Sequence, residues 1–536
     1  MEFTNPLVRF SSAHMTGLLT VMVALSGCSS QPHNATPKDI QACSALQNVV
    51  ISANEFGLPT GKATIQEAVL LSLKGRDSAV NYCRVRGSIA PADAANLSIK
   101  FQVNLPAHWN GKAIQNGGGG SNGVVVESTG HYTHAPSTAL SPLGNGYVTF
   151  GGDSGHTMDD KDWVNNEQAY RNYAGEGVKR THDAAMSIIK HYYGKAPKYT
   201  YFIGGSKGGQ EGLVAAQRYG SDYNGVISFY PAARAFAMQM AWGRMGYAAS
   251  APGADLSWAE QAWVKSKVME ACDGLDGVRD GLIGRVEQCR QTFNLQSLRC
   301  ADASSRPDRC LSNAQIKGLA TGASPLVFDF PLANGVTSIG PFPILEGANF
   351  GWLLYPTMGT PWAKLFVGAG DDIAKQASDG AVTKMPDFDY RRYRDKILSL
   401  SQTYDVSSTD LEAFKRNKGK LLMIQGTADM LVPQSMTTEY YHSLRKRYGA
   451  DLDNFAAYYI QPGFDHGNGD FTLAVDSLAA LENWVEKGEA PGTLLAVDEA
   501  KATSGRTRPL CKYPEWAKYK GSGDIQDASS FECVNE

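Results

Sequence analysis

The chain predicts an α/β fold, a mostly parallel sheet with helices on both faces and a large insertion late in the sequence. Three observations carry that prediction. First, short apolar, β-rich runs at 97–103, 147–150 and 199–203 alternate with helical patterns at 173–193 and 209–219. Strands that read as near-continuous apolar runs between helices belong to sheets covered on both faces. Second, the alternation fades between about 233 and 403, where Pro, Gly and four cysteines (Cys272, Cys289, Cys300 and Cys310) accumulate. Third, it returns at 420–425 and 455–460. The expected organisation is a catalytic domain over 41–232 and 404–536, with 233–403 as an inserted lid.

Residues 1–27 read as an export signal. Arg9 supplies positive charge, residues 17–25 are apolar, and Leu25-Ser26-Gly27-Cys28 resembles the cleavage box of a bacterial lipoprotein. The apolar run is too short for a permanent membrane span. Acylation of Cys28 would anchor the protein to the cell envelope by lipid, with the polar stretch 28–40 as a tether. Without the anchor, the chain is expected in the periplasm or outside the cell. A net charge of −3 offers no electrostatic footing for nucleic acid. Membrane contact is therefore expected only through the lipid, and the protein is expected to act as a monomer. Nine cysteines are present, and setting Cys28 aside leaves an even number. An oxidising compartment favours disulfides. Nearest-neighbour pairing would join Cys43–Cys83, Cys272–Cys289, Cys300–Cys310 and Cys511–Cys533, although spacing alone leaves other pairings open.

Gly204-Gly205-Ser206-Lys207-Gly208 fits Gly-x-Ser-x-Gly between a predicted strand and a predicted helix. In that context the serine sits on a sharp turn with its hydroxyl exposed, and the amide of Lys207 faces a developing oxyanion. A serine nucleophile needs a base, and the base an orienting acid, in the chain order Ser, Asp, His. His466 lies in a loop after the strand ending near 460, and Asp429 in a loop after 421–425. His442 falls within the helical pattern 435–448 and reads as a surface residue. Asp465 competes for the role of acid, but adjacency to His466 makes its contact with Nδ1 awkward. The loop Asn116-Gly-Gly-Gly-Gly-Ser-Asn-Gly123 follows another predicted strand and can bring a second amide to the oxyanion. Asp273, Asp276 and Asp280 lie in a glycine-rich loop between Cys272 and Cys289. Hard carboxylates and backbone carbonyls there suit calcium, though the spacing is not an EF-hand and Asp-Gly pairs also make bare turns.

Taken together these motifs resemble the tannase and feruloyl esterase family, most of all its terephthalate-ester-cleaving branch. The likeness runs from Trp109-Asn-Gly111 and the glycine loop through Tyr201-Phe-Ile-Gly-Gly-Ser206 and the aspartate loop. It continues through Gly463-Phe-Asp-His466 and Arg506-Thr-Arg-Pro-Leu-Cys511 to Tyr519-Lys-Gly-Ser-Gly-Asp-Ile525. The resemblance implies an α/β-hydrolase core with a lid and supports the neighbour disulfides. It implies one structural calcium held by Asp273, Asp276 and Asp280 with the carbonyls of Val278 and Leu282. Gly120 and Lys207 become the oxyanion amides, and Phe350, Trp352, Tyr355 and Leu431 the candidate substrate contacts.

Two departures stand out. Members of the family usually carry a disulfide between cysteines just before the serine and just after the histidine; here those positions are Gly205 and Gly467. The terephthalate-cleaving relative uses a lid arginine, and 355–366 contains none, which leaves Lys207 as an alternative positive charge. The function expected is hydrolysis of esters of aromatic acids through an acyl-enzyme on Ser206. The alternatives are a feruloyl-type or short-acyl esterase without aromatic specificity, and a surface lipoprotein that only binds ligands.

Overall fold

Residues 35–74, 80–160, 162–249, 251–301, 310–350 and 390–535 are described in the computed structural model. The signal segment, Cys28, Trp352 and Tyr355 lie outside them. Among the described residues ten strands form one sheet in the order β1-β2-β3-β4-β6-β5-β7-β8-β11-β12. They are β1 (Val50–Ile51), β2 (Ala63–Ser72), β3 (Asn81–Ile89), β4 (Ile99–Pro106), β5 (Lys112–Asn116), β6 (Val148–Gly152), β7 (Tyr199–Gly205), β8 (Gly225–Phe229), β11 (Lys420–Gly426) and β12 (Ala456–Gln461). Pairing is antiparallel from β1 through the β4–β6 neighbours. It is parallel from β6 to β12.

The two halves follow from their sequences. β3 alternates buried and part-exposed residues, the signature of a sheet face open to solvent. β8 and β11 are buried almost throughout and take side chains to two different cores. Phe202, Val226, Leu421 and Met423 pack with Leu213, Val214, Tyr440 and Leu444, which come from helices Lys207–Arg218 and Gln434–Tyr448. Their neighbours Tyr201, Ile203, Ile227, Leu422 and Ile424 point the other way, against Leu481 and the apolar residues of helix Ala235–Ala249. Helix Gly177–Tyr193 covers β4 and β6 through Ala184, Ala185, Ile188 and Ile189 and stops at Gly194, in the left-handed region with φ 74°. Strands β2 and β3, which the sequence reading passed over, are the main difference. In β2 the two-residue period is interrupted by an irregularity between Ile65 and Glu67, which weakens the pattern there.

Between β8 and β11 the described chain leaves the sheet. It forms helices Ala235–Ala249, Trp258–Cys272, Val286–Thr292 and Asn313–Gly322, and a small antiparallel pair, β9 (Leu326–Val327) with β10 (Ser338–Ile339). All four neighbour disulfides are present, with Cα separations of 5.5, 5.2, 4.9 and 5.6 Å in chain order.

After β12 the chain adds a three-stranded antiparallel unit of β13 (Leu473–Ala474), β14 (Leu494–Asp498) and β15 (Thr507–Leu510). Arg506, just before β15, is 4% exposed and pairs with fully buried Asp498 at 2.7 Å. It also donates to the carbonyls of Asp280 and Asp470. One guanidinium therefore joins the insertion, the segment after His466 and the C-terminal strands. Removing one member of such a pair leaves a buried charge without compensation. Arg506→Met is expected to lower unfolding free energy by about 3–5 kcal/mol, read from denaturant midpoints; a change below about 1 kcal/mol, the usual size for an exposed pair, would contradict this reading.

Candidate active site

Parallel strands present their carboxyl ends on one edge, and Ser206, Asp429 and His466 follow β7, β11 and β12 there. Ser206 has φ 60° and ψ −119°, a conformation of about 1–3 kcal/mol strain for a residue with a side chain. Backbone bonds hold it. Its amide donates to the Phe229 carbonyl at 3.0 Å, and its carbonyl accepts from Gln210 and Ala232 at 3.0 and 3.1 Å. Helix Lys207–Arg218 starts immediately afterwards, so its unpaired amides and positive dipole end lie beside the serine.

His466 Nδ1 donates to Asp429 Oδ2 at 2.8 Å. Asp429 is fully buried, and its other oxygen accepts the amides of Leu431 and Val432, both at 2.8 Å. This fixes the imidazole with Nδ1 protonated and leaves Nε2 as the basic nitrogen. Asp465 does not compete for the ring. Its Oδ1 accepts the amides of His466 at 2.7 Å and Met430 at 3.3 Å, so it shapes the loop. Burial, followed by the nearby Asp429 charge, raises its carboxyl to about 6. His442 stays on its helix surface, bonded to the Tyr513 hydroxyl at 2.9 Å.

The glycine loop packs directly on the elbow helix. A Cβ on Gly208 would come within 2.6 Å of the Gly118 carbonyl oxygen, so only glycine allows this approach. Glu211, one helical turn after Lys207, reaches across. It accepts the Gly118 amide at 3.0 Å and the Asn122 side-chain amide at 2.6 Å. Gly120 lies within the loop so held, with φ 56°. The Lys207 side chain is 2% exposed, donates to Gln210 at 2.7 Å and Glu211 at 3.0 Å, and lies over the rings of Tyr173 and Tyr404. Its charge neutralises Glu211 inside the protein, which corrects the idea that it reaches toward substrate.

Of the candidate substrate contacts within the described residues, Leu431 is part-buried beside Asp429, whereas Phe350 is 2% exposed within the main apolar cluster. In the aspartate loop, Asp276 is 5% exposed; burial and then the Asp280 and Asp273 charges raise its carboxyl to about 7. Asp273 Oδ1 accepts the amides of Asp280 and Gly281. Among the described residues, Asp280 alone of the three has an ion-pair partner, Arg508. No three His, Cys, Asp or Glu side chains among the described residues converge tightly enough to hold an ion by themselves, so loop carbonyls would have to complete any shell. Asp276, buried and without an ion-pair partner among the described residues, is the carboxylate that a divalent cation held partly by loop carbonyls would compensate.

Two residues at the site escaped the sequence reading. Tyr230 directly follows β8, with φ 31° and its amide donating to the Ile424 carbonyl. Its ring lies 4.5 Å from the His466 ring, centroid to centroid. Its hydroxyl donates to His134 Nε2 at 2.6 Å, while His134 Nδ1 donates to the Leu473 carbonyl at 3.2 Å. His134 lies in the first half of the chain, between β5 and β6, upstream of the Ser, Asp, His order.

A family model described as tannase and feruloyl esterase matches residues 83–534. The chain is 35% identical to an uncharacterised esterase of Agrobacterium fabrum, over 97% of this chain and 98% of that protein. It is 28% identical to mono(2-hydroxyethyl) terephthalate hydrolase of Piscinibacter sakaiensis, over 84% and 85%. Feruloyl esterase B from Aspergillus oryzae superposes with TM-score 0.73 at 20% identity, covering 92% of this chain and 100% of that one. Tannin acyl hydrolase from Aspergillus niger gives 0.71 at 19%, covering 92% and 94%.

Burial pulls His134 down to about 4, from an ordinary 6.5. Between those values the unfolded chain binds a proton that the folded protein excludes. The stability this group contributes is therefore complete above about pH 6.5 and is lost as pH falls toward 4. Urea midpoints measured from pH 7 to 4.5 should fall less steeply in His134→Gln than in the wild type; identical slopes would show that His134 is not held neutral.

Proposed function

The chain belongs to the tannase and feruloyl esterase family and is a carboxylic ester hydrolase, and from that premise we propose that Ser206, His466 and Asp429 carry out acyl transfer from esters of aromatic acids. The observation that supports this most directly is the 2.8 Å bond between His466 Nδ1 and a fully buried Asp429, on loops neighbouring a strained serine. In the proposed reaction Ser206 Oγ attacks the ester carbonyl as His466 Nε2 takes its proton. The oxyanion is met by the amides of Lys207 and Gly120. Collapse breaks the bond to the alcohol, which leaves with the proton from His466, and the acyl group stays on Ser206. Water, deprotonated by His466, then releases the acid. The aromatic acid class rests on the names of relatives, which include a terephthalate ester hydrolase and feruloyl esterases.

Ser206→Ala is expected to lower kcat by about 10⁴-fold or more, and Asp429→Asn to cost nearly as much by holding the wrong imidazole tautomer. A panel of gallate, ferulate, terephthalate, benzoate and short-acyl esters reads both claims. Turnover surviving in Ser206→Ala would end the site assignment. Equal kcat/KM for short-acyl and aromatic esters in the wild type would end the aromatic preference and favour a general short-acyl esterase.

The same proposal places a structural calcium on Asp273, Asp276 and Asp280 with the carbonyls of Val278 and Leu282. The ion would supply positive charge to the insertion and take no part in the chemistry. It also includes export, which four disulfides suit, and lipid attachment at Cys28. Among the described residues no helix is long and apolar enough to cross a membrane. Chelation is expected to lower Tm, and Asp276→Ala to reproduce the lower value without chelator. A protein free of calcium by elemental analysis, with Tm indifferent to chelator, would leave the loop as a turn only.

A further inference from the structure

The nucleophile loop and the histidine loop meet through one aromatic ring. A Cβ built on Gly205 would lie 2.9, 3.0 and 3.1 Å from Cε2, the hydroxyl oxygen and Cζ of Tyr230. The Tyr230 ring therefore occupies the space that any side chain beside Ser206 would need. The same ring lies against His466, with centroids 4.5 Å apart and planes inclined at 49°. It also lies against Phe464 at 5.8 Å. Tyr230 is 6% exposed, so its hydroxyl needs a buried acceptor. His134 supplies one, and His134 is in turn fixed by the Leu473 carbonyl and by edge-on contacts with Phe229 and Phe464. His134 and His466 are thus held on the same ring, one at its hydroxyl and the other along its body. The positive φ of Tyr230, 31°, is strain that its surroundings hold in place.

We propose that Tyr230 is a positioning residue for His466, a wedge between the Ser206 elbow and the histidine loop whose angle is set by His134, and that Gly205 is glycine to make room for it. This deepens the reading of Ser206 and His466 as the reacting groups and rests on it. Asp429 fixes the imidazole in its plane through Nδ1 but leaves it free to swing about that bond. The Tyr230 ring blocks the swing on one side. A misplacement of about 1 Å at a reacting group costs on the order of 10²-fold in rate, so removing the wedge should slow chemistry without weakening substrate binding.

The test uses the full-length enzyme, a small chromogenic ester, and active-site titration with a fluorophosphonate, so that kcat is expressed per reactive serine. Tyr230→Ala should lose about 30- to 100-fold in kcat per titrated site, with KM within about twofold. Tyr230→Phe and His134→Gln, which keep the ring or the fold around it, should lose only several-fold. Gly205→Ala forces the ring aside and should also lose activity. Because both changes act on one contact, the Gly205→Ala/Tyr230→Ala double variant should lose much less than the product of the two single losses. A role in folding alone would lower the titratable fraction and Tm, and leave the rate per site unchanged. That result in Tyr230→Ala, or losses that simply multiply in the double variant, would overturn the proposal. If Tyr230→Ala does not fold, wild-type rates per site in both Tyr230→Phe and His134→Gln would overturn it. Activity surviving in Ser206→Ala is a separate outcome, and it overturns the assignment of the site itself.

Discussion

The structure around the site depends on a backbone conformation that the serine does not favour. At φ 60° and ψ −119°, Ser206 persists because its amide and carbonyl are both bonded, to Phe229, Gln210 and Ala232. Those partners lie at the end of β8, in the first turn of the following helix and in the loop after β8. The strain is therefore held by the parallel register of β7 and β8 and by the seating of the helix on both. Because the turn is this tight, the helix N-terminus arrives within one residue of Ser206, and the sheet is free to bring Asp429 and His466 in from the strands beyond. The insertion between β8 and β11 leaves this frame undisturbed, since β8 and β11 pair over Lys420–Ile424 as direct neighbours.

A second requirement is electrostatic. The glycine loop has little side-chain area with which to hold itself, and its grip on the helix comes from Glu211, which accepts from Gly118 and Asn122. A carboxylate buried to this degree is costly unless a charge opposes it. Lys207 provides that charge at 3.0 Å from the same helix, with the rings of Tyr173 and Tyr404 beneath it. Burial pulls the lysine toward its neutral form and Glu211 opposes this. One residue thus serves twice, its amide next to Ser206 and its ammonium against Glu211. A neutral residue at 207 would keep the amide and leave Glu211 exposed to the full penalty of burial.

The parts of this site that are legible in the sequence are those with a local signature. Gly-x-Ser-x-Gly between strand and helix marks Ser206, and loops after late apolar strands mark Asp429 and His466; the structure puts the last two in hydrogen-bond contact. Neighbour pairing of the cysteines also holds, within the insertion for Cys272–Cys289 and Cys300–Cys310 and outside it for Cys43–Cys83 and Cys511–Cys533. Tyr230 and His134 are different in kind. They are 96 residues apart, each has a common and unremarkable role in sequence, and their meaning comes only from a contact across the sheet edge. Lys207 differs for the same reason. A lysine beside Ser206 reads as a positive charge for a substrate carboxylate, and only the contact with buried Glu211 shows it turned inward. The antiparallel strand β2 is obscured by a local irregularity that breaks its alternation, whereas β3 keeps its alternation and carries that signature in the sequence.

The four disulfides close loops of 40, 17, 10 and 22 residues, and none of them joins the Ser206 loop to the His466 loop. A covalent bridge between two loops limits how far they can separate even while the protein opens locally. A packed ring acts only while both loops stay closed around it. The relative position of Ser206 and His466 is then held by Tyr230, Phe464 and the turn in which Asp465 accepts the His466 amide and donates its own to the Asn468 carbonyl at 2.7 Å. Gly467, at φ 103° with nothing within 4 Å of a Cβ built on it, closes that turn through its amide, which donates to the Asp465 carbonyl at 2.8 Å. The site's rigidity is consequently a property of apolar packing and short-range hydrogen bonds.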